Sequence, residues 1–277
     1  MRKFALAVAL CGPIALGQPS APKNLDVAWD VLQKGLQDSN PEKRKITAAA
    51  LSGAGLNPKA LQMLYDAMTS DKDPEVRQAA VSSLGEMKAR VAIPKLKAAI
   101  DNDPEVGFVA ARALWIMGDR SGRDLIEEVA TGQQKNPTGK VSQAKLEASR
   151  RLHDPNGLAK MGVLQASYAL LGPFSIGLKL ATDLAKDAGA QGRLMAITLL
   201  LEQCDAESAS SIKTAFEDDK NETVRAGAAK ALGTCGGKQA LQNLTDAVTS
   251  EKFSVQIAAA ATLIRISSVP ASLQKKK

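Results

Sequence analysis

The stretch DPEVRQAAVSSLG at 73–85 is written again, with small changes, as DPEVGFVAARALW at 103–115 and NETVRAGAAKALG at 221–233. A chain that repeats itself at a fixed period folds as a stack of like units, so this constrains the architecture more than any other feature. With the Asp of DPEVR as offset 0, segments starting at Asn40, Asp73, Asp103, Lys160, Gly189, Asn221 and Lys252 align without gaps. Offset 11 is leucine in all of them: Leu51, Leu84, Leu114, Leu171, Leu200, Leu232 and Leu263. Offset 7 is always small: Thr47, Ala80, Ala110, Ser167, Ala196, Ala228 and Ala259. Offset 3 is valine in five of the seven. Successive starts differ by 33, 30, 57, 29, 32 and 31 residues, a period near 31 with one interval almost doubled.

Each letter has a physical reason. Asp73 can accept a free backbone N–H as an N-cap. Pro74 suits a first helical position, where no N–H is needed. Glu75 complements the positive end of the helix dipole. Offsets 3, 7 and 11 recur about once per turn and make an apolar stripe. Gly85 reads as a C-cap. An apolar helix precedes each such segment, as at 58–68, 93–100, 209–219 and 238–248. Two helices in about 31 residues cannot bury their apolar faces alone, and stacking the pairs makes one continuous core. The expected fold is all-α, a right-handed α-solenoid of about seven stacked helix pairs. Only 3% of residues are aromatic, and no alternating run suggests a strand.

DPEVRQAAVSSLG and NETVRAGAAKALG resemble HEAT repeats, in particular the short bacterial kind also found in phycobilisome lyases. The resemblance covers most of residues 24–268 and is specific for fold rather than function. It implies that the arginine at offset 4 (Arg44, Arg77, Arg193, Arg225) belongs to a polar ladder between repeats. It also implies that the inner helices line the concave side of the array. The His-Glu pairs of the iron-binding HEAT-like hydroxylases are missing.

The organisation expected is a signal peptide over 1–17, repeats over 24–131, an irregular segment at 132–157, repeats over 158–268 and a basic tail at 269–277. The start, MRKFALAVALCGPIALGQPSAP, has a positive n-region, a short apolar core and small residues before Gln18, so export to the periplasm or cell envelope is expected. Leu10 is too large for Cys11 to sit in a good lipobox. In the centre, 123–131 reads as a lone outer helix, 132–139 as a loop and 140–152 as a helix. Residues 161–178 carry no charge, but Gly172-Pro173 interrupts them, and they read as two repeat helices rather than a membrane span.

The net charge of +7 is concentrated at the ends. Without Arg2, Lys3 and Lys275–Lys277, 31 basic residues face 29 acidic ones, leaving +2, which does not make a nucleic-acid surface. One histidine, His153, gives no metal-ligand spacing. Ser210-Ser211-Ile212-Lys213 lacks the companion motifs of acyl-transfer enzymes. Gly233 to Lys238 resembles a phosphate loop, but Gln239 stands where magnesium needs a hydroxyl. No catalytic group, metal or cofactor is expected. The expected function is a non-catalytic scaffold that binds another protein; the alternative is a lyase-like enzyme accessory acting on a bound chromophore or modified protein.

One constellation suggests where a partner would bind. Offsets 5, 9 and 12 lie opposite the core stripe. In the unit at 103 they are Phe108, Arg112 and Trp115, and in the unit at 189 Leu194, Thr198 and Leu201. An apolar outward face wants a cover, either a partner or the 132–157 segment. Cys204 and Cys235 fall at offsets 15 and 14 of adjacent units, and helices stacked about 8–10 Å apart would leave them as free thiols.

Overall fold

A computed structural model describes residues 23–103, 105–131, 187, 189–236 and 240–268. Twelve α-helices and no strand lie among them. They are α1 (Lys23–Gln37), α2 (Pro41–Ala50), α3 (Pro58–Ser70), α4 (Pro74–Glu86), α5 (Ile93–Asn102), α6 (Gly107–Ile116), α7 (Arg123–Thr131), α8 (Ala190–Gln203), α9 (Ala206–Asp218), α10 (Glu222–Cys235), α11 (Leu241–Ser250) and α12 (Phe253–Ser268). A 3-10 turn, Leu51–Ala54, extends α2, and another, Arg90–Ala92, leads into α5. The fold is an all-helical solenoid. The segments at 132–139, 140–152, 153–157 and 161–178, the unit starting at Lys160, the expected leader at 1–17 and the tail at 269–277 all lie outside the described residues.

The helix starts follow the sequence chemistry closely. Asp73 accepts the N–H groups of Glu75 and Val76, Asn40 that of Glu42, and Asn221 those of Thr223 and Val224. The unit at 103 departs from this. Asp103 takes the Glu105 N–H at 3.1 Å and the Arg77 side chain at 2.8 Å, and its carbonyl closes a turn with Gly107. Helix α6 therefore begins at Gly107.

The even-numbered helices α2, α4, α6, α10 and α12 carry the core stripe. Thr47, Ala80, Ala110, Ala228 and Ala259 are fully buried at offset 7, and Leu51, Leu84, Leu114, Leu232 and Leu263 nearly so at offset 11. Each buried leucine contributes about 1.5–3 kcal/mol of transfer free energy.

Gly85 is not a C-cap. Helix α4 continues through Glu86, and the cap is Met87. A Cβ on Gly85 would lie 2.9 Å from Ala113 Cβ and 3.1 Å from its Cα. A Cβ on Gly233 would lie 3.0 Å from Thr262 Cγ2. Offset 12 thus faces the next inner helix, and glycine there lets two inner helices approach closely.

The stacking order is not the chain order. Helix α12, the last described, packs against α10 on one side and against α1, α2 and the Leu51–Ala54 turn on the other. The inner helices run α8, α10, α12, α2, α4, α6. The first and last described units are neighbours. Lys43 lies over the Phe253 ring at 5.2 Å, and Asn57 donates to Ser268 Oγ at 3.3 Å.

Candidate functional site

Polar side chains gather at the two ends of the inner helices. At the N-terminal edge sit the offset-4 arginines. Arg44 grips Asp71 with two bonds of 2.8 and 2.9 Å and donates to the Asp38 carbonyl at 3.0 Å. Arg77 reaches Asp103 and Glu105, both at 2.8 Å, and the Asp71 carbonyl at 3.0 Å. Arg193 reaches Asp219 and Asp187, both at 2.6 Å. Arg225 pairs with Glu251 and donates to the Phe216 carbonyl at 3.0 Å. In each case the acid lies about 26 residues ahead, in the approach to the next inner helix. These planar, charge-assisted contacts tie consecutive units together. Burial alone would raise the Asp71 carboxyl; the Arg44 bonds and the Asp73 N–H hold it below its ordinary value.

At the other edge the C-terminal ends of α8, α10, α12 and α4 converge with the Leu51–Ala54 turn. They line a half-open cavity of about 760 Å³. The closure of α12 onto the first unit creates it, so its walls come from both halves of the chain: Glu86, Lys88 and Leu56 from one, Leu201, Lys230 and Arg265 from the other. Lys230 Nζ meets Glu86 at 2.8 Å, with the two side chains 12% and 13% exposed. Burial pushes the Glu86 carboxyl above its ordinary value, and the Lys230 and Ser52 bonds offset this only in part. Among the described residues no three His, Cys, Asp or Glu side chains form a metal-binding group. No described helix is long and apolar enough to cross a membrane.

The structure divides the sequence-based candidates. Leu194 is fully buried and belongs to the core, not to an outward face. The reason is position. Helix α8 stands at the end of the described order and buries Ala190, Leu194 and Ile197, while Met195, Ala196 and Leu199 are exposed. Thr198 turns its hydroxyl back to the Leu194 carbonyl at 3.0 Å and is half-buried. Leu201 does line the cavity. Phe108 is half-buried against the core. Arg112 lies close enough to lower the Glu86 carboxyl slightly, which puts it beside the cavity. Trp115, 42% exposed, stands at offset 12, where other units place Gly85 and Gly233, and Arg120 stacks on its ring at 3.6 Å. In the unit at 73, Ser82 and Gly85 at offsets 9 and 12 are likewise buried. Offset 13, which the repeat pattern does not single out, carries Glu86, Thr234 and Arg265.

Cys204 and Cys235 form a disulfide, contrary to the expectation of free thiols, with Cα atoms 5.2 Å apart. Stacked helix axes would hold them farther apart. Cys204 ends α8 in a left-handed conformation, φ 50° and ψ 37°, which carries the chain toward Thr234 and closes the gap. The bond fastens two walls of the cavity beside Leu201 and Thr234.

A sequence profile described as HEAT repeats matches residues 29–115 and 178–274. The chain belongs to the HEAT-repeat family. Among solved structures it is similar to human deoxyhypusine hydroxylase in complex with glycerol, at 18% identity over 88% of this chain and 97% of that one, with a TM-score of 0.34. Comparison with curated proteins gives no match.

Proposed function

We propose that this HEAT-repeat chain is a non-catalytic scaffold that holds a segment of another protein in the cavity at the C-terminal ends of its inner helices. The observation that carries the reading is the cavity itself. It is about 760 Å³, is walled by both halves of the chain, and has its one carboxylate already paired with Lys230. Such a site offers shape, apolar contact and basic groups rather than a nucleophile with an activating base. Leu56, 61% exposed on its wall, is an apolar contact awaiting a partner. The reading places the protein outside the cytoplasm, from the leader-like first 17 residues.

A photo-crosslinking amino acid at Leu56 tests this in the producing cell, with Val91, 70% exposed and not among the residues lining the cavity, as the control position. A discrete crosslinked protein at Leu56 and none at Val91 supports the reading. Equal crosslinking at both positions, or none at either, overturns it. N-terminal sequencing of the same material tests export: a chain beginning near Gln18 is expected, and a retained Met1 refutes it.

A further inference from the structure

We infer that the segment taken by this cavity is acidic, and that Arg265 is the residue that reads its carboxylates. The inference rests on the scaffold reading and gives the partner a chemistry. Arg265 occupies offset 13 of α12, in the centre of the cavity wall. Its stem crosses two glycines: Cδ would lie 3.4 Å from a Cβ on Gly233, and Nη1 3.9 Å from one on Gly55. Both are ordinary contact distances, so the Arg265 stem packs along the backbone at Gly233 and Gly55.

The contrast with the ladder is informative. Arg44, Arg77, Arg193 and Arg225 each hold a carboxylate. Arg265 is half-buried, yet among the described residues it has no hydrogen bond or ion pair. Its place in the last turn of α12 suits the helix dipole. The dipole does not satisfy a planar fork of five N–H donors, whose best acceptor is a carboxylate bound by two parallel bonds. Among the described wall residues the one carboxylate, Glu86, is engaged by Lys230 at 2.8 Å. Lys88, exposed at the rim with φ 50°, adds a second uncommitted cation. Three basic side chains against one acidic leave the wall at +2, equal to the net charge of the whole chain without its ends. Leu56, Met87 and Leu201 interleave apolar surface with these charges. An extended peptide with acidic and apolar residues in alternation matches that lining.

Fluorescence anisotropy on the full oxidised chain tests this, with a labelled ten-residue peptide of alternating Glu and Ala and its Lys-Ala counterpart. The acidic peptide should bind at least ten times more tightly than the basic one. Arg265→Gln should weaken it about tenfold or more, as loss of a charge-assisted pair implies. Lys88→Gln should weaken it about two- to threefold, and replacing Lys275, Lys276 and Lys277 by Gln should change nothing. Circular dichroism checks that the Arg265→Gln chain is folded; if it is not, Arg265→Lys keeps the charge, loses the fork and should still weaken binding several-fold. No binding by the wild type, equal binding by folded Arg265→Gln, dependence on the terminal lysines, or tighter binding of a ten-nucleotide oligothymidylate would each overturn the inference. If the acidic peptide fails while Leu56 still crosslinks selectively, the charge assignment falls and the scaffold reading stands. If both fail, both fall.

Discussion

The Lys230 ammonium and the Glu86 carboxylate meet at 2.8 Å although 144 residues separate them in the chain. The bond crosses the seam where the last unit packs on the first, and it is nearly buried. Removing one partner of such a pair costs about 3 kcal/mol or more, because the other charge stays in place uncompensated. Lys230→Met should therefore lose about 3 kcal/mol by urea unfolding at pH 7, and Lys230→Met with Glu86→Met should recover much of it. The deficit of the single variant depends on pH with a definite sign. The folded Glu86 carboxyl lies above its ordinary value, so its penalty is full above that folded value and is relieved as pH falls through it. Loss of Lys230 removes a lowering influence, so stability of Lys230→Met should rise relative to wild type as pH falls from 7 toward the ordinary carboxylate range. A flat difference would show that Glu86 stays solvated.

The ladder behaves in the opposite direction. Asp71 and Arg44 are 10% and 7% exposed, and the Asp71 carboxyl lies below its ordinary value. A lowered carboxyl stabilises the fold above its unfolded value near 3.9 and loses that contribution as pH falls through its folded value. Asp71→Asn should cost about 2–3 kcal/mol at neutral pH, since Arg44 keeps an acceptor but loses the charge. The gap between variant and wild type should hold steady from pH 8 to 5 and close below about pH 4. Thermal melts across that range decide it; a gap that persists at pH 3 would place the effect elsewhere.

How much of this was readable beforehand depends on what a repeat encodes. The N-caps at Asn40, Asp73 and Asn221 and the columns at offsets 7 and 11 of α2, α4, α6, α10 and α12 are legible, because each is fixed by chemistry within a unit; the place of the offset-4 arginines follows only from the resemblance to HEAT repeats. The cavity is not legible. Every inner helix presents similar small-residue faces, so the pattern allows α12 to stack on α2 as readily as on a further unit, and no single segment marks that choice. Gly85 shows a related limit. Glycine ends helices and also admits close packing, and only the neighbouring helix tells the two apart. If offset 12 faces outward, Trp115 belongs to an exposed face; only the packing of α4 on α6 turns offset 12 inward and brings offset 13, with Glu86 and Arg265, to the cavity.

The packing reading of Gly85 gives a contrast within one helix type. Gly85→Ala sets a methyl group against the Ala113 backbone at 3.1 Å, so α4 and α6 must separate. A cost of about 1–3 kcal/mol is expected, as for overpacked cores. Gly192 in α8 has nothing within 4 Å of a built Cβ. Gly192→Ala should stabilise by a few tenths up to about 1 kcal/mol through helix propensity alone. Paired denaturation curves would measure both, and a gain at position 85 would refute the close approach.

Trp115 separates the present account from one in which it fills a core. At 42% exposure with Arg120 stacked at 3.6 Å, its truncation forfeits partial burial and a cation–π contact worth about 0.5–1 kcal/mol. Trp115→Ala should cost about 1–2 kcal/mol, against about 2–5 kcal/mol for its fully buried neighbour in Leu114→Ala. Equal costs for the two, measured in the same buffer, would show that Trp115 is a core residue.

The disulfide carries the last prediction. Cys204 and Cys235 are 31 residues apart, and closing a loop of that size in the unfolded chain stabilises the fold by about 3–4 kcal/mol on the chain-entropy account. Reduction should lower stability by that order without abolishing the fold, because the core columns of α10 and α12 do not depend on the bond. Cys204→Ala with Cys235→Ala should match the reduced wild type, and dithiothreitol should leave that double variant unchanged. Its effect should reach the cavity as well. Leu201 lies one turn before Cys204, and Thr234 immediately before Cys235, and both line the wall. Freed from the bond, the end of α8 relies on the packing of that helix, which among the described residues is chiefly on α9 and α10. Amide hydrogen exchange should therefore rise over the last turn of α8 in the reduced protein while α2 and α4 stay protected. Peptide mapping of unreduced, alkylated protein provides the direct check. Iodoacetamide found on Cys204 and Cys235 would mean that the left-handed turn at Cys204 brings the sulfurs together without joining them.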